Sequence, residues 1–189
     1  VHMEDWPDPR ETLRDTALTL DAMGLDAIVI RTSERNAPHD LAADEGIGAC
    51  VLNGGDDAHE HPTQALLDLL AMRHKLGRVE GLHVAIVGDV RHSRVARSNL
   101  HALATLGSRV TFVGPEMFLE GVEGLGAPFD RSTDFDAVLP ECDAVMMLRV
   151  QFERHEGGLG LDLDEYTDLY QLTAERLARA RECAVVLHP

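Results

Sequence analysis

Short apolar runs alternate with helical stretches along the whole chain, and this alternation restricts the fold more than any other feature. Ala27-Ile28-Val29-Ile30-Arg31, Ala49–Asn53, His83–Asp89, Arg109–Val113, Ala144–Leu148 and Ala184–Leu187 read as strands. Between them lie stretches with apolar residues at helical spacing: Thr12–Met23, Pro38–Asp44, His61–Lys75, Ser93–Leu106, Phe135–Leu139 and Thr173–Arg181. Gly24, Gly77 and Gly107 stop three of these helices, and Gly54-Gly55 breaks the second strand. Strands separated by helices pair in parallel, because a parallel neighbour needs a long crossover. The expected class is α/β, with parallel sheets flanked by helices and a seam between lobes within His61–Gly77.

Composition narrows the function. The 189 residues suffice for one good core or two small lobes, and a hydrophobic content of 44% is that of a globular protein. No run of eighteen apolar residues is present, so no membrane partner is expected. Glu4, Asp5 and Asp8 stand where a signal peptide needs basic and apolar residues, which predicts a cytoplasmic chain. The net charge of −16 argues against nucleic acid as partner. Cys50, Cys142 and Cys183 are widely spaced and form no CxxC pair, and are expected as buried thiols in a reducing compartment. No carboxylate–His–Cys set has metal-ligand spacing; His59-x-His61 on a strand is the one chelating alternative. The loop after His83–Asp89 holds one glycine in place of G-x-G-x-x-G, and neither a P-loop nor G-x-S-x-G occurs, so no cofactor and no metal are expected.

The segment His61-Pro62-Thr63-Gln64 opens a predicted helix. Pro62 suits the first helical position, where a missing N–H costs nothing. His61 then stands at the cap and Gln64 in the first turn, beside exposed N–H groups and the positive end of the helix dipole. That is a place for a small anion with a polarisable carbonyl, or a helix start with Gln64 merely in solvent. In parallel α/β sheets, chemistry collects at the carboxyl ends of strands. There lie Arg31, Asn53-Gly54-Gly55, Asp89–Arg94, Pro115, Arg149-Val150-Gln151 and His188-Pro189. Arg94 falls in a first turn, where its charge opposes the helix dipole; an anionic ligand or a nearby Asp would account for it. All basic residues except Lys75 are arginines, which suit bidentate contacts to carboxylate or phosphate.

These residues resemble the transcarbamoylase family, and within it the aspartate carbamoyltransferase catalytic chains. The resemblance runs from about Glu11 to Pro189 through Asn53–Gln64, Leu82–Asn99, Val113-Gly114-Pro115, Met147–Arg154, Tyr170–Thr173 and Leu187-His188-Pro189. It implies two Rossmann-like lobes: residues 1–62 as part of a carbamoyl-phosphate-binding lobe, the first lobe being incomplete, and residues 63–189 as an aspartate-binding lobe. It also implies carbamoyl transfer from carbamoyl phosphate to L-aspartate. Arg31 and His61 would hold the carbonyl oxygen, Gln64 the carbamoyl amide, and Arg94, Arg149 and Gln151 the aspartate carboxylates. A homotrimer, with regulatory chains or a dihydroorotase as further partners, is the family expectation. The sequence also departs from the family. Its Ser-Thr-Arg-Thr phosphate motif is missing, and Trp6-Pro7-Asp8-Pro9-Arg10-Glu11 stands where a Ser-x-x-Lys-Gly-Glu loop is expected. The chain is therefore expected to be shortened at both ends. A non-catalytic relative acting as a binding or assembly module, and a nucleotide-binding Rossmann-like domain, are the competing readings.

Overall fold

The computed structural model describes residues 11–57, 59–150 and 163–189. The chain divides into two compact units, with the division between Thr63 and Gln64. In the first unit Thr12 caps α1 (Leu13–Ala22). Its Oγ1 accepts the Asp15 N–H at 3.1 Å, and the Asp15 carboxylate accepts the Thr12 N–H at 3.1 Å. This reciprocal pair satisfies two donors that a helix start leaves open. There follow β1 (Ala27–Thr32), α2 (Ala37–Ala42) and β2 (Cys50–Asp56), which pairs with β1 in parallel. Ile28 and Ile30 alternate onto one face, where they pack with Ala17 of α1, Leu41 of α2 and Ala49. Val29 and Leu52 are exposed on strands of the same sheet.

Gly54-Gly55 does not break the second strand, which runs on to Asp56. The pairing passes from Ile30 with Asn53 to Thr32 with Asp56, so β2 carries one residue more than β1. Such a bulge needs backbone freedom. Gly55 has φ +125°, and a Cβ on Gly54 would meet the Ile30 carbonyl oxygen at 3.1 Å. Sequence punctuation mistook the bulge for a strand end.

The second unit holds most of α3 (Pro62–Leu76), then β3 (His83–Val87), α4 (Arg94–Thr105), β4 (Arg109–Val113), α5 (Glu116–Leu119) and β5 (Asp130–Ser132). It continues with α6 (Phe135–Val138), β6 (Ala144–Met147), α7 (Leu163–Tyr170), α8 (Ala174–Leu177) and β7 (Val185–Leu187). The five strands form one parallel sheet in the order β5-β4-β3-β6-β7. Period-two alternation sorts its side chains into two cores. Val84, Ile86, Val110, Phe112, Ala144 and Met146 pack with Met72 of α3 and Leu100 and Leu103 of α4. Ala85, Val87, Val113 and Val145 pack with Phe135 of α6 and Tyr170 of α7. Helices thus cover both faces, and every residue of β3 is buried, as a central parallel strand requires.

Three elements have no counterpart in the sequence reading. Asp130-Arg131-Ser132 of β5 has no apolar residue to signal a strand and sits at the sheet edge. α5 is a single turn, and α7 lies in an acidic stretch. The helix expected over Thr173–Arg181 is confined to Ala174–Leu177. Of the cysteines only Cys142 is buried, where burial pushes its thiol up to about 11; Cys50 and Cys183 are exposed, against expectation. No described helix is long and apolar enough to cross a membrane.

Candidate functional site

From β3 the chain moves outward through β4 to β5, then returns to the other side of β3 for β6 and β7. The strand order therefore reverses between β3 and β6, and open parallel sheets bind ligands in the crevice at such a point. The segments leaving these two strands carry the expected arginines. Ser93 caps α4, its Oγ accepting the Ala96 N–H at 3.1 Å, and this fixes Arg94 as the first helical residue, half-buried. Arg149 lies two residues beyond β6 and is exposed. Gln151, the third group expected here, lies outside the described residues.

The crevice floor is close-packed. Gly88 follows β3 with φ +123°, and a Cβ there would meet the Leu148 Cβ at 3.2 Å and the Leu148 carbonyl oxygen at 3.3 Å. Asp89 beside it is buried, and its carboxylate engages His92 Nδ1 at 3.0 Å. Tyr166 of α7 approaches the same spot, and burial pushes its phenol up to about 12. Gly88→Ala should cost about 2–4 kcal/mol, summing a strained backbone at positive φ and overpacking against Leu148. Denaturant unfolding measures it, and a loss below about 0.5 kcal/mol would contradict this account of Gly88.

His61-Pro62-Thr63-Gln64 is placed as the sequence predicts, with Pro62 as first residue of α3 and His61 immediately before it. The His61 Nδ1 is 3.3 Å from Thr63 Oγ1. In the first unit Asp56 organises the approach to His61. Its buried carboxylate accepts the backbone N–H of Asn36 at 2.8 Å and of Glu60 at 2.9 Å, and engages His59 Nδ1 at 3.1 Å. Burial alone would raise its pKa, but these hydrogen bonds and one from Asn53 outweigh it and hold the carboxyl below the ordinary range. His59 is thus engaged by Asp56. Among the described residues no group of three or more His, Cys, Asp or Glu side chains is arranged to hold a metal ion. Arg31 is the penultimate residue of β1, at its carboxyl end as expected, at the bulge between Ile30 and Thr32, and is exposed.

In the second unit Gln64 donates through Nε2 to Asp68 Oδ1 at 3.0 Å, and Asn99 of α4 donates through Nδ2 to Asp68 Oδ2 at 2.8 Å. Asp68 and Asn99 were missed by sequence reading. The available signal was a lone acid inside Leu66-Leu67-Asp68-Leu69-Leu70, one helical turn after Gln64.

Residues 4–74 match the family model for the carbamoyl-phosphate-binding domain of aspartate/ornithine carbamoyltransferases, and residues 80–189 match the model for their Asp/Orn-binding domain. The chain belongs to this carbamoyltransferase family. It is 54% identical over 179 residues to the aspartate carbamoyltransferase catalytic subunit of Thermobifida fusca, covering 95% of this chain and 56% of that one. The Mycobacterium leprae catalytic subunit is likewise 54% identical, over 185 residues, with 95% and 57% covered. Among solved structures, Trypanosoma cruzi aspartate transcarbamoylase in complex with carbamoyl phosphate and aspartate superposes with a TM-score of 0.75 at 30% identity, covering 95% of this chain and 60% of that one. The same enzyme with N-(phosphonacetyl)-L-aspartic acid gives a TM-score of 0.74 at 30% identity, covering 95% and 59%. This carbamoyltransferase-family chain therefore spans somewhat more than half the length of these relatives.

Proposed function

We propose that this chain serves the transfer of the carbamoyl group from carbamoyl phosphate to L-aspartate, giving N-carbamoyl-L-aspartate and phosphate in pyrimidine synthesis. The observation that carries the reading is the placement of Arg94 and Arg149 on the two segments that flank the β3–β6 reversal, in a unit that matches the Asp/Orn-binding domain. Two arginines there suit a dicarboxylate, by charge-assisted bonds. Gln151 is assigned the same ligand.

In the first unit, Arg31 and His61 are assigned to the carbonyl oxygen of carbamoyl phosphate. Aspartate nitrogen attacks the carbamoyl carbon, loses a proton, and the C–O bond to phosphate breaks. Donors aimed at the oxyanion that forms on the way stabilise it. Gln64 is assigned to the carbamoyl NH2. The residues hold and orient two anions, which alone supplies much of such a rate enhancement. A homotrimer in the cytoplasm, with regulatory chains or a dihydroorotase as partners, completes the proposal.

Incubation with carbamoyl phosphate and L-aspartate should release phosphate and N-carbamoyl-L-aspartate in equal amounts, with no product from ornithine. Absence of both turnover and saturable carbamoyl phosphate binding would overturn the reading. Binding without turnover would favour a non-catalytic binding module, a reading supported by the lack of Ser and Lys in Trp6–Glu11. Arg94→Ala should weaken aspartate roughly tenfold to a hundredfold, the worth of a charged hydrogen bond of about 1.5–3 kcal/mol. Carbamoyl phosphate affinity should stay unchanged; if that fell instead, the assignment of Arg94 would be wrong.

A further inference from the structure

Asp68 is an acid in a place where a leucine would continue the run. It is 4% exposed, and an ionised carboxylate in such surroundings is costly unless its hydrogen bonds repay it. Burial raises its pKa against the hydrogen bonds from Asn99 and Gln64 that pull it down. Both partners are carboxamides, and an ionised carboxylate can only accept. Each carboxamide must therefore turn its NH2 toward Asp68. Asn99 gives its second N–H to the Val95 carbonyl oxygen at 3.1 Å, which anchors it on α4, and its buried Oδ1 has no hydrogen-bond partner among the described residues. An amide that leaves its oxygen unpaired is one whose orientation the carboxylate dictates. For Gln64, half-buried at the start of α3, the same rule turns Oε1 away from Asp68.

We propose that Asp68 is a positioning residue: clamped by Asn99, it fixes the Gln64 carboxamide with its oxygen presented as an acceptor to the carbamoyl NH2, and so selects a carbamoyl over an acyl group. The proposal rests on the assignment of Gln64 made above. The same carboxylate ties the first turns of α3 to α4, the helix that Arg94 begins.

Acetyl phosphate supplies the test, because it carries a methyl group where carbamoyl phosphate carries NH2. In the wild-type chain carbamoyl phosphate should bind tighter than acetyl phosphate. Asp68→Asn substitutes an amide that can offer its own NH2 to Gln64, so the orientation is no longer dictated. That variant should lose about fivefold or more in carbamoyl phosphate affinity, with acetyl phosphate unchanged and no further loss when Gln64→Ala is added. Equal weakening of both ligands would reduce Asp68 to a structural role and overturn the proposal. A loss in Gln64→Ala with none in Asp68→Asn would overturn the clamp and leave the Gln64 assignment standing. No loss in Gln64→Ala would overturn that assignment and the proposal with it. Should Asp68→Asn fail to fold, the ligand-free wild-type chain still decides by nuclear magnetic resonance. A clamped Gln64 has a side-chain amide proton shifted downfield and slow to exchange; shifts and exchange like those of free glutamine would overturn the proposal.

Discussion

His61→Ala is expected to lower turnover of carbamoyl phosphate about 10²- to 10³-fold, the usual effect of deleting one donor to a developing oxyanion. The expectation rests on geometry. Pro62 fixes the start of α3 and Asp56 holds the preceding loop through the Glu60 N–H, so His61 sits on a restrained backbone between two anchors. A preorganised donor spends little reorganisation at the moment of reaction, and its loss falls on kcat more than on KM. Steady-state kinetics with aspartate saturating would measure it. An unchanged kcat with a raised KM would reassign His61 to ground-state binding, and no change in either would remove it from the site.

Phe112→Ala should destabilise the second unit by about 3–5 kcal/mol. Phe112 lies on β4, is fully buried, and packs on Phe129 with ring centroids 4.9 Å apart. It fills the space between the five-stranded sheet and the helices α3 and α4, and a close-packed interior relaxes only partly into a cavity left there. At roughly 2–4 °C per kcal/mol, the midpoint of thermal unfolding should fall by about 6 °C or more. Leu106→Ala, at an exposed position, should change stability by less than about 0.5 kcal/mol. Comparable losses at both positions would contradict the assigned core.

The parts of this molecule that were legible in the sequence are those that periodicity and capping encode. β3 is apolar after His83 and β4 holds Val110, Phe112 and Val113, and Ser93 announces α4 because a hydroxyl at that position satisfies an open N–H. His61-Pro62-Thr63-Gln64 was legible for the same local reason. What stayed hidden depends on tertiary contact. The glycines of β2 looked like a strand end because their use, close approach at a bulge, needs the partner strand. Asp130-Arg131-Ser132 has no apolar side chain to announce a strand, and the bond from Arg109 Nε to the Asp130 carboxylate at 2.8 Å exists only once β4 lies beside it. Asp68 was invisible as part of the site because its meaning comes from Asn99, thirty-one residues later on another helix.

Recognition of carbamoyl phosphate and aspartate by one chain can be read from calorimetric titration with N-(phosphonacetyl)-L-aspartic acid, which joins the two chemistries in one molecule. Saturable binding with one site per chain is expected, tighter than that of phosphate or aspartate alone, and weakened separately by His61→Ala and by Arg94→Ala. Absence of saturable binding, or binding that neither substitution alters, would contradict it.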